Sequence, residues 1–436
     1  MNNTIKKASP YPLPKLQRFM DKFKNIFRRS DTMHSAERYI TGLLSDIPYK
    51  NCGMMAEHIA GTNKQALQEL ITNSTWNQDE LNRQRIALMV ENATVGDGAI
   101  IFDDTGFPKK GVCSVGVARQ YSGTLGKVGN CQIAISSQYT DGKYTWPINA
   151  KLYLPESWAN DPERLAKAKV PEDVGFKTKV DIALDLLDEA NRMGVKHNIV
   201  VADSFFGNNT VFLEGLETRG ERYVVSVHKS FCVRFEHEIQ TFTPPKKDPK
   251  KGGRPLTKSG ALALPPQYEV QNLINKIPQD QWKVITWRDG TKGPLQKEYS
   301  FLRVRWATGN KLGSQGWLVF ERPVQGEKGD VKFLFSNLPL ETPEVQIIEY
   351  FHRRHSIERF YQDAKDELGL DQYEGRRWHG FHRHFTLVML AYSFLTLQRR
   401  TKSSFCRQYE VVLDRATLQA PSFYDKAVFS PDTFCS

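Results

Sequence analysis

Ala99-Ile100-Ile101-Phe102-Asp103-Asp104 and Ile199-Val200-Val201-Ala202-Asp203 are the two stretches that decide the fold. Each is a short apolar run of buried-strand type leading directly into an aspartate. Strand ends in a helix-flanked sheet open on a crevice, the usual place for polar side chains to converge. The second run is bracketed by helices. Thr178 caps a helix carrying Ile182, Leu184, Leu186 and Leu187, and Gly194 stops it by adopting a left-handed conformation. Asn208 or Asn209 then caps a short helix through Phe212 and Leu216, Gly220 ends it, and Tyr223-Val224-Val225-Ser226-Val227 is the next strand. This alternation predicts parallel pairing within an α/β sheet.

The first run has a different neighbourhood. Cys131 to Tyr139 alternates, with Ile133 and Ile135 on one face, and Trp146 to Leu154 reads as a third strand. Three strands so close in sequence predict an antiparallel meander. Thr105 to Gly111, after the first aspartates, reads as a basic, glycine-containing loop. Residues 1–92 are helical and polar: Phe19, Phe23 and Ile26/Phe27 recur at helical spacing, and Thr62 can cap a helix with Ala66, Leu67, Leu70 and Ile71.

Residues 230–335 interrupt the α/β pattern. Pro244 to Lys258 is strongly basic and poor in apolar residues, so a flexible loop is expected. Strand-like runs at Trp282–Trp287, Tyr299–Trp306 and Trp317–Phe320 make the rest a β-rich insertion. A long helix follows, with Thr342 as its cap, Pro343 in its first turn and Gly369 at its end.

Sixty basic residues oppose 49 acidic ones, for a net charge of +11. That balance favours a polyanionic partner, nucleic acid first. The six cysteines form no C-x-x-C pair, which argues against a disulfide framework or a thiolate zinc site and for reduced thiols in a cytoplasmic protein. The N-terminus has no secretory apolar region. Phe385 to Leu397, the longest apolar stretch, is shorter than the roughly 20 residues a membrane span needs, so a buried helix is expected. His379, His382 and His384 invite a zinc reading, but phosphate contact or packing suits them better, since no further ligand is evident.

A third acid completes the constellation. On the long helix, Phe351, Arg354, Glu358 and Lys365 are separated by three, four and seven residues, which places them on roughly one face. Ile357, Phe360/Tyr361, Ala364 and Leu368 form the adjoining stripe that can face the core. Asp103, Asp203 and Glu358 are hard oxygen ligands suited to magnesium or manganese. Two such ions about 3.5 to 4 Å apart can activate water and stabilise the leaving oxygen of a phosphodiester.

From Ala99 to about Leu397 the chain resembles the DDE-type transposases of bacterial insertion sequences, often described as DDE superfamily endonucleases. Three blocks carry the resemblance: Phe102 to Gly111 continuing through Ser114 to Gly126, then Val201 to Gly207, then Arg354, Glu358 and Lys365 running into Gly369-Leu370-Asp371 and Tyr373 to Arg376. The resemblance implies an α/β, RNase H-like mixed sheet flanked by helices, with a β-rich insertion and an N-terminal helical domain. It implies that Asp103, Asp203 and Glu358 hold the catalytic ions, Mg2+ or Mn2+, two per site. Asp104 competes with Asp103 for the first position, and the family block favours Asp103, with Asp104 behind it. In the Tyr-Arg-Glu-Lys signature of that family the tyrosine position is Phe351 here, so Tyr350 or Tyr361 would have to supply the hydroxyl.

The expected organisation is a helical DNA-binding domain (1–95), a catalytic domain in two parts (96–230 and 339–400), the insertion (231–338) and a tail (401–436). DNA contacts are expected from Arg354, Lys365, Lys109, Lys110, Arg119 and Tyr350, and from the basic loop through Lys246, Lys247, Lys250, Lys251 and Arg254. Relatives with an insertion at this place use it to hold a flipped base or a hairpin end, which makes Trp282, Trp287, Trp306 and Trp317 stacking candidates, Trp287 first among them. The implied activity is cut-and-paste transposition on double-stranded DNA, by hydrolysis at the element ends and attack by the freed 3′-hydroxyl, with a DNA hairpin and a homodimer joining the ends. The implied location is the bacterial cytoplasm, at the nucleoid. A DNA-binding derivative without cleavage, or a structure-selective nuclease without strand transfer, are the alternatives.

Overall fold

The computed structural model describes residues 12–94, 97–238, 241–242, 260–261, 264–290, 293–309 and 311–405. The chain divides into two compact units, Met1–Asn198 with Arg353–Ser436, and Ile199–His352. The basic positions Lys246, Lys247, Lys250, Lys251 and Arg254 lie outside the described residues.

The first unit opens with five helices, α1 (Pro14–Met20), α2 (Ser30–Leu44), α3 (Cys52–His58), α4 (Lys64–Thr72) and α5 (Gln78–Asn92). The cap of α4 is Asn63 rather than Thr62: its side-chain oxygen accepts from the Ala66 N–H at 2.8 Å. Asparagine is the better cap of the two, and it sits one position nearer the helix. Leu67, Leu70 and Ile71 are buried, as the periodicity requires.

Four strands follow: β1 (Ala99–Pro108), β2 (Ala118–Ser122), β3 (Lys127–Thr140) and β4 (Thr145–Leu152). β3 pairs antiparallel with β1, β2 and β4, which is the expected meander. β1 does not stop at its aspartates. The ladder continues to Pro108 opposite Cys131, so Asp103 and Asp104 stand mid-strand, opposite Ser136 and Ile135. The residues read as a loop from Thr105 onward are therefore largely strand. Proline suits the final position, where its missing N–H costs no ladder bond. β3 is buried at every position from Cys131 to Thr140, on both faces.

The short helices α6 (Glu156–Ala159) and α7 (Pro162–Ala168) lead to α8 (Lys179–Arg192). Thr178 and Asp181 form a capping box on α8, and Gly194 takes φ 74° beyond its end. The last long helix of this unit, Trp378–Phe405, buries Phe385 to Leu395 within the protein. No described helix is long and apolar enough to cross a membrane. Arg85 ties this helix to α5 and β4: its buried guanidinium donates to Asn82 Oδ1, to the carbonyls of Pro147 and Ile148, and to Ser393 Oγ at 2.9 Å.

In the second unit, β5 (Ile199–Ala202) pairs parallel with β6 (Tyr223–Val227), joined through α9 (Ser204–Gly207) and α10 (Thr210–Thr218). Asn209 caps α10 and Gly220 takes φ 72° after it. The β-rich insertion comprises β7 (Cys232–Arg234), the paired two-residue strands β8 (Thr241–Phe242) and β9 (Gly260–Ala261), β10 (Tyr268–Glu269), β11 (Lys283–Gly290), β12 (Gly293–Thr308), β13 (Lys311–Arg322) and β14 (Lys332–Ser336). β14 lies between β6 and β13, antiparallel to both, so the insertion extends the sheet of β5 and β6 edge to edge.

The single long helix expected after Thr342 is two helices, α11 (Glu344–His352) and α12 (His355–Asp366). Arg353 and Arg354 interrupt them. No glycine or proline marks the break. Arg353 instead bonds the carbonyl and the carboxylate of Asp97, at 2.6 and 3.0 Å, which is a tertiary tie. Phe351 therefore does not share a helix face with Glu358. With α12 assigned, the helix Trp378–Phe405 is α13.

Candidate active site

The two neighbouring aspartates of β1 have different partners. Asp104 pairs with Lys179 of α8 at 2.5 Å, both side chains about four-fifths buried. Asp103 takes the Asp104 N–H on Oδ1 at 2.8 Å, and its own carbonyl accepts from the Tyr361 hydroxyl at 3.1 Å.

α12 lies against β1 by the stripe its spacing dictates. Ile357, Phe360, Tyr361 and Ala364 are buried, with Leu368 just beyond. Each large apolar member contributes roughly 1.5 to 3 kcal/mol by burial, enough to fix the roll of the helix. Gly369 ends the segment at φ 66°, and the Leu370 N–H closes on the Ala364 carbonyl at 2.8 Å.

That roll leaves Glu358 at the margin. Its carboxylate is held by two neighbours, the Arg354 guanidinium at 2.5 Å and the His355 ring at 3.2 Å. The His355 hydrogen bond, then the Arg354 charge, hold its pKa below the usual glutamate value against the opposing effect of burial. His355 was not among the sequence candidates; its place three residues before an acid on a helix is the signal that could have found it. Lys365 reaches the Gly106 carbonyl at 3.3 Å and the Thr124 hydroxyl at 3.2 Å. Burial lowers its pKa, while Asp371, Asp366, Asp103 and Asp104 act the other way. The Tyr361 hydroxyl also meets Ser136 Oγ at 2.7 Å. Thus β1 and α12 bring Asp103, Tyr361 and Lys365 together.

Other candidates of this unit differ in exposure. Lys109 donates to the Tyr373 carbonyl at 2.7 Å, whereas Lys110 and Arg119 are exposed. His384 is a core residue, bonded to the Tyr39 hydroxyl at 2.8 Å and facing the carbonyls of Gly369 and Leu370. His382 faces the Trp378 carbonyl at 3.0 Å. The packing reading of these histidines holds.

Asp203 belongs to the second unit. It ends β5 as expected and caps α9, accepting from the N–H groups of Phe205 at 3.0 Å and Phe206 at 3.3 Å. Gly207 closes that turn against β6; a Cβ there would collide with the Ser226 carbonyl oxygen and crowd Val225. Tyr350 is buried on α11, its hydroxyl accepting from Gln346 at 2.9 Å. Trp287 stacks flat on His352, centroids 4.0 Å apart and planes 5° apart. Trp306 is core, donating to Glu217 at 2.9 Å.

Among the described residues, no group of three or more His, Cys, Asp or Glu side chains is gathered closely enough to hold a metal ion. Asp103 and Glu358 in the first unit and Asp203 in the second each offer carboxylate oxygens, and Glu358 is kept anionic. Such oxygens fit a hard divalent cation and not a soft one.

The family model described as DDE superfamily endonuclease matches residues 22–294, well over half of the chain. The chain belongs to the DDE superfamily endonucleases. Members of this family generally use divalent metal ions. The match takes in Asp103 and Asp203 and ends before Glu358. A curated relative, the probable transposase for insertion sequence element IS701 of Microchaete diplosiphon, is 28% identical over 233 residues, 52% of this chain and 58% of the relative. The match thus spans little more than half of that relative's length. Among solved structures, the NurA nuclease from Sulfolobus solfataricus is similar with a TM-score of 0.26 and 10% identity, over 80% of this endonuclease and 100% of that chain.

Proposed function

We propose that this DDE superfamily endonuclease is a DNA transposase that cuts at the ends of a mobile element and joins them to a target. The observation that supports it most is the arrangement on β1 and α12, where the Tyr361 hydroxyl bonds the Asp103 carbonyl and Lys365 is fixed beside the same strand. The similarity to a probable insertion-sequence transposase points the same way.

Asp103, Asp203 and Glu358 would hold one or two Mg2+ or Mn2+ ions. Bound there, such ions would lower the pKa of water and offset charge on the phosphodiester. Arg354 places positive charge beside Glu358 and Lys365 beside Asp103, suited to phosphate oxygens. The five N-terminal helices, the exposed Lys110 and Arg119, the tyrosine Tyr350 and the loop bearing Lys246, Lys247, Lys250, Lys251 and Arg254 would contact the DNA, with Trp287 as a base-stacking candidate. Two copies would join the two ends, and cleavage would proceed through a hairpin.

The test incubates the protein with its flanking genomic DNA and magnesium. Double-strand breaks at the repeat boundaries, abolished by Glu358→Gln, are expected. Uncut DNA with wild-type protein would defeat the nuclease reading. Strand-transfer products with a supercoiled target separate transposition from simple cleavage.

A further inference from the structure

The β2–β3 hairpin carries an exposed apolar pair that the site description does not use. Tyr121 and Val128 are cross-strand partners, 62% and 51% exposed. Burial alternates along β2: Arg119 and Tyr121 are exposed, while Gln120 between them is half-buried. Arg119 therefore shares the face of Tyr121. Lys127 is exposed at the adjoining end of β3. Single exposed apolar residues are ordinary. By the same alternation Lys127, opposite Ser122, lies on the other face of the hairpin. A tyrosine backed by a valine directly across the ladder, with Arg119 beside it on the same face, is a stacking platform.

The hairpin is also anchored at the candidate active site. The Gly106 N–H donates to the Thr124 hydroxyl at 3.2 Å, and Lys365 donates to that hydroxyl at 3.2 Å. Gly106 is required for this approach, because a Cβ there would collide with Ser122 Oγ. Its tip is thus bound both to β1, three residues beyond Asp103, and to α12, which carries Glu358.

We propose that Tyr121 stacks on an unpaired nucleobase of the DNA next to the cleavage position, with Arg119 on a flanking phosphate. Charge points to the occupant: the exposed guanidinium of Arg119 stands beside the ring on a chain of net charge +11. This rests on the reading of the protein as acting on DNA. Stacking needs no particular base, so the probe need not carry the element's own ends.

The experiment compares two duplexes bound by the full chain, one blunt and one with a short single-stranded tail carrying 5-iododeoxyuridine. Irradiation should crosslink the tail to the peptide containing Tyr121. Tyr121→Ala should weaken tailed DNA roughly 5- to 150-fold, the usual range for one lost base stack. It should leave blunt DNA within about twofold, and Tyr121→Trp should restore tail binding. Arg119→Ala should weaken both duplexes and lower the salt dependence by about one unit of slope. If wild type binds both duplexes and Tyr121→Ala weakens neither, or both equally, this inference falls and the DNA reading stands. Wild type that binds neither sinks both.

Discussion

Asp203 has one role in the fold and a second that we propose for it, and one pair of substitutions can separate them. It caps α9, accepting two backbone N–H groups at 3.0 and 3.3 Å, and it is the second of the three acids assigned to metal. Asparagine retains the oxygen that caps the helix but carries no charge. Alanine loses both. A cap is worth about 0.5 to 2 kcal/mol. α9 is a single turn joining β5 to α10, so the loss should fall within that range, a drop of roughly 1 to 8 °C in Tm for a unit of this size. Asp203→Asn should melt as wild type does and fail to cleave DNA; Asp203→Ala should melt lower and also fail. Thermal denaturation by circular dichroism, beside cleavage of flanking DNA with magnesium, reads both. If Asp203→Asn cleaves at the wild-type rate, Asp203 is only a helix cap, and the assignment of three acids to the metal site collapses.

Four further outcomes are expected. Lys179→Met should cost about 1 to 3 kcal/mol by stranding the partly buried Asp104 carboxylate, and adding Asp104→Asn should recover much of it; Asp104→Asn alone should keep far more cleavage activity than Asp103→Asn. Arg85→Met should lower stability by about 3 kcal/mol or more in a thermal melt, since the carbonyls of Pro147 and Ile148 and the Ser393 hydroxyl lose a buried donor. His384, whose pKa burial lowers to about 4, binds a proton more readily in the unfolded chain, so its contribution is present above about pH 6.5 and lost as pH falls through 4. His384→Gln should therefore flatten the dependence of Tm on pH across that window, and an unchanged slope would refute the assignment. Tyr361→Phe should reduce cleavage more than Tyr350→Phe, because the Tyr361 hydroxyl bonds the Asp103 carbonyl and that of Tyr350 bonds Gln346 within its own helix.

What the sequence made legible was local. The capping box at Thr178 and the left-handed Gly194 and Gly220 follow from residue chemistry acting over a few positions, as does the buried stripe of α12. What it hid depends on partners distant in sequence. β1 runs past Asp103 because β3 offers it a ladder as far as Cys131, and nothing within Thr105 to Gly111 announces that partner. β14 was passed over because Lys332–Ser336 is short, and its strand character comes from lying between β6 and β13. The guanidinium of Arg85 is buried against residues some 60 and 300 positions away, so composition alone would have placed it in solvent.

The split between α11 and α12 changes how the acidic constellation should be read. The spacing from Phe351 to Lys365 fits one helix face only if the helix is continuous, and Arg353 and Arg354 break it. Phe351 then stays with the core of α11, while Arg354, Glu358 and Lys365 keep their relation because all three belong to the turn entering α12 or to α12 itself. Between Glu358 and Lys365 on that helix stands Tyr361, three residues after one and four before the other, hence on their side. Its hydroxyl reaches the backbone of Asp103 directly. Of Tyr350 and Tyr361, we therefore propose Tyr361, placed by the same apolar stripe that sets the direction of Glu358, for the hydroxyl that Phe351 lacks. That substitution of position is possible because a phenolic hydroxyl acts where its oxygen arrives, whichever residue along the helix delivers it.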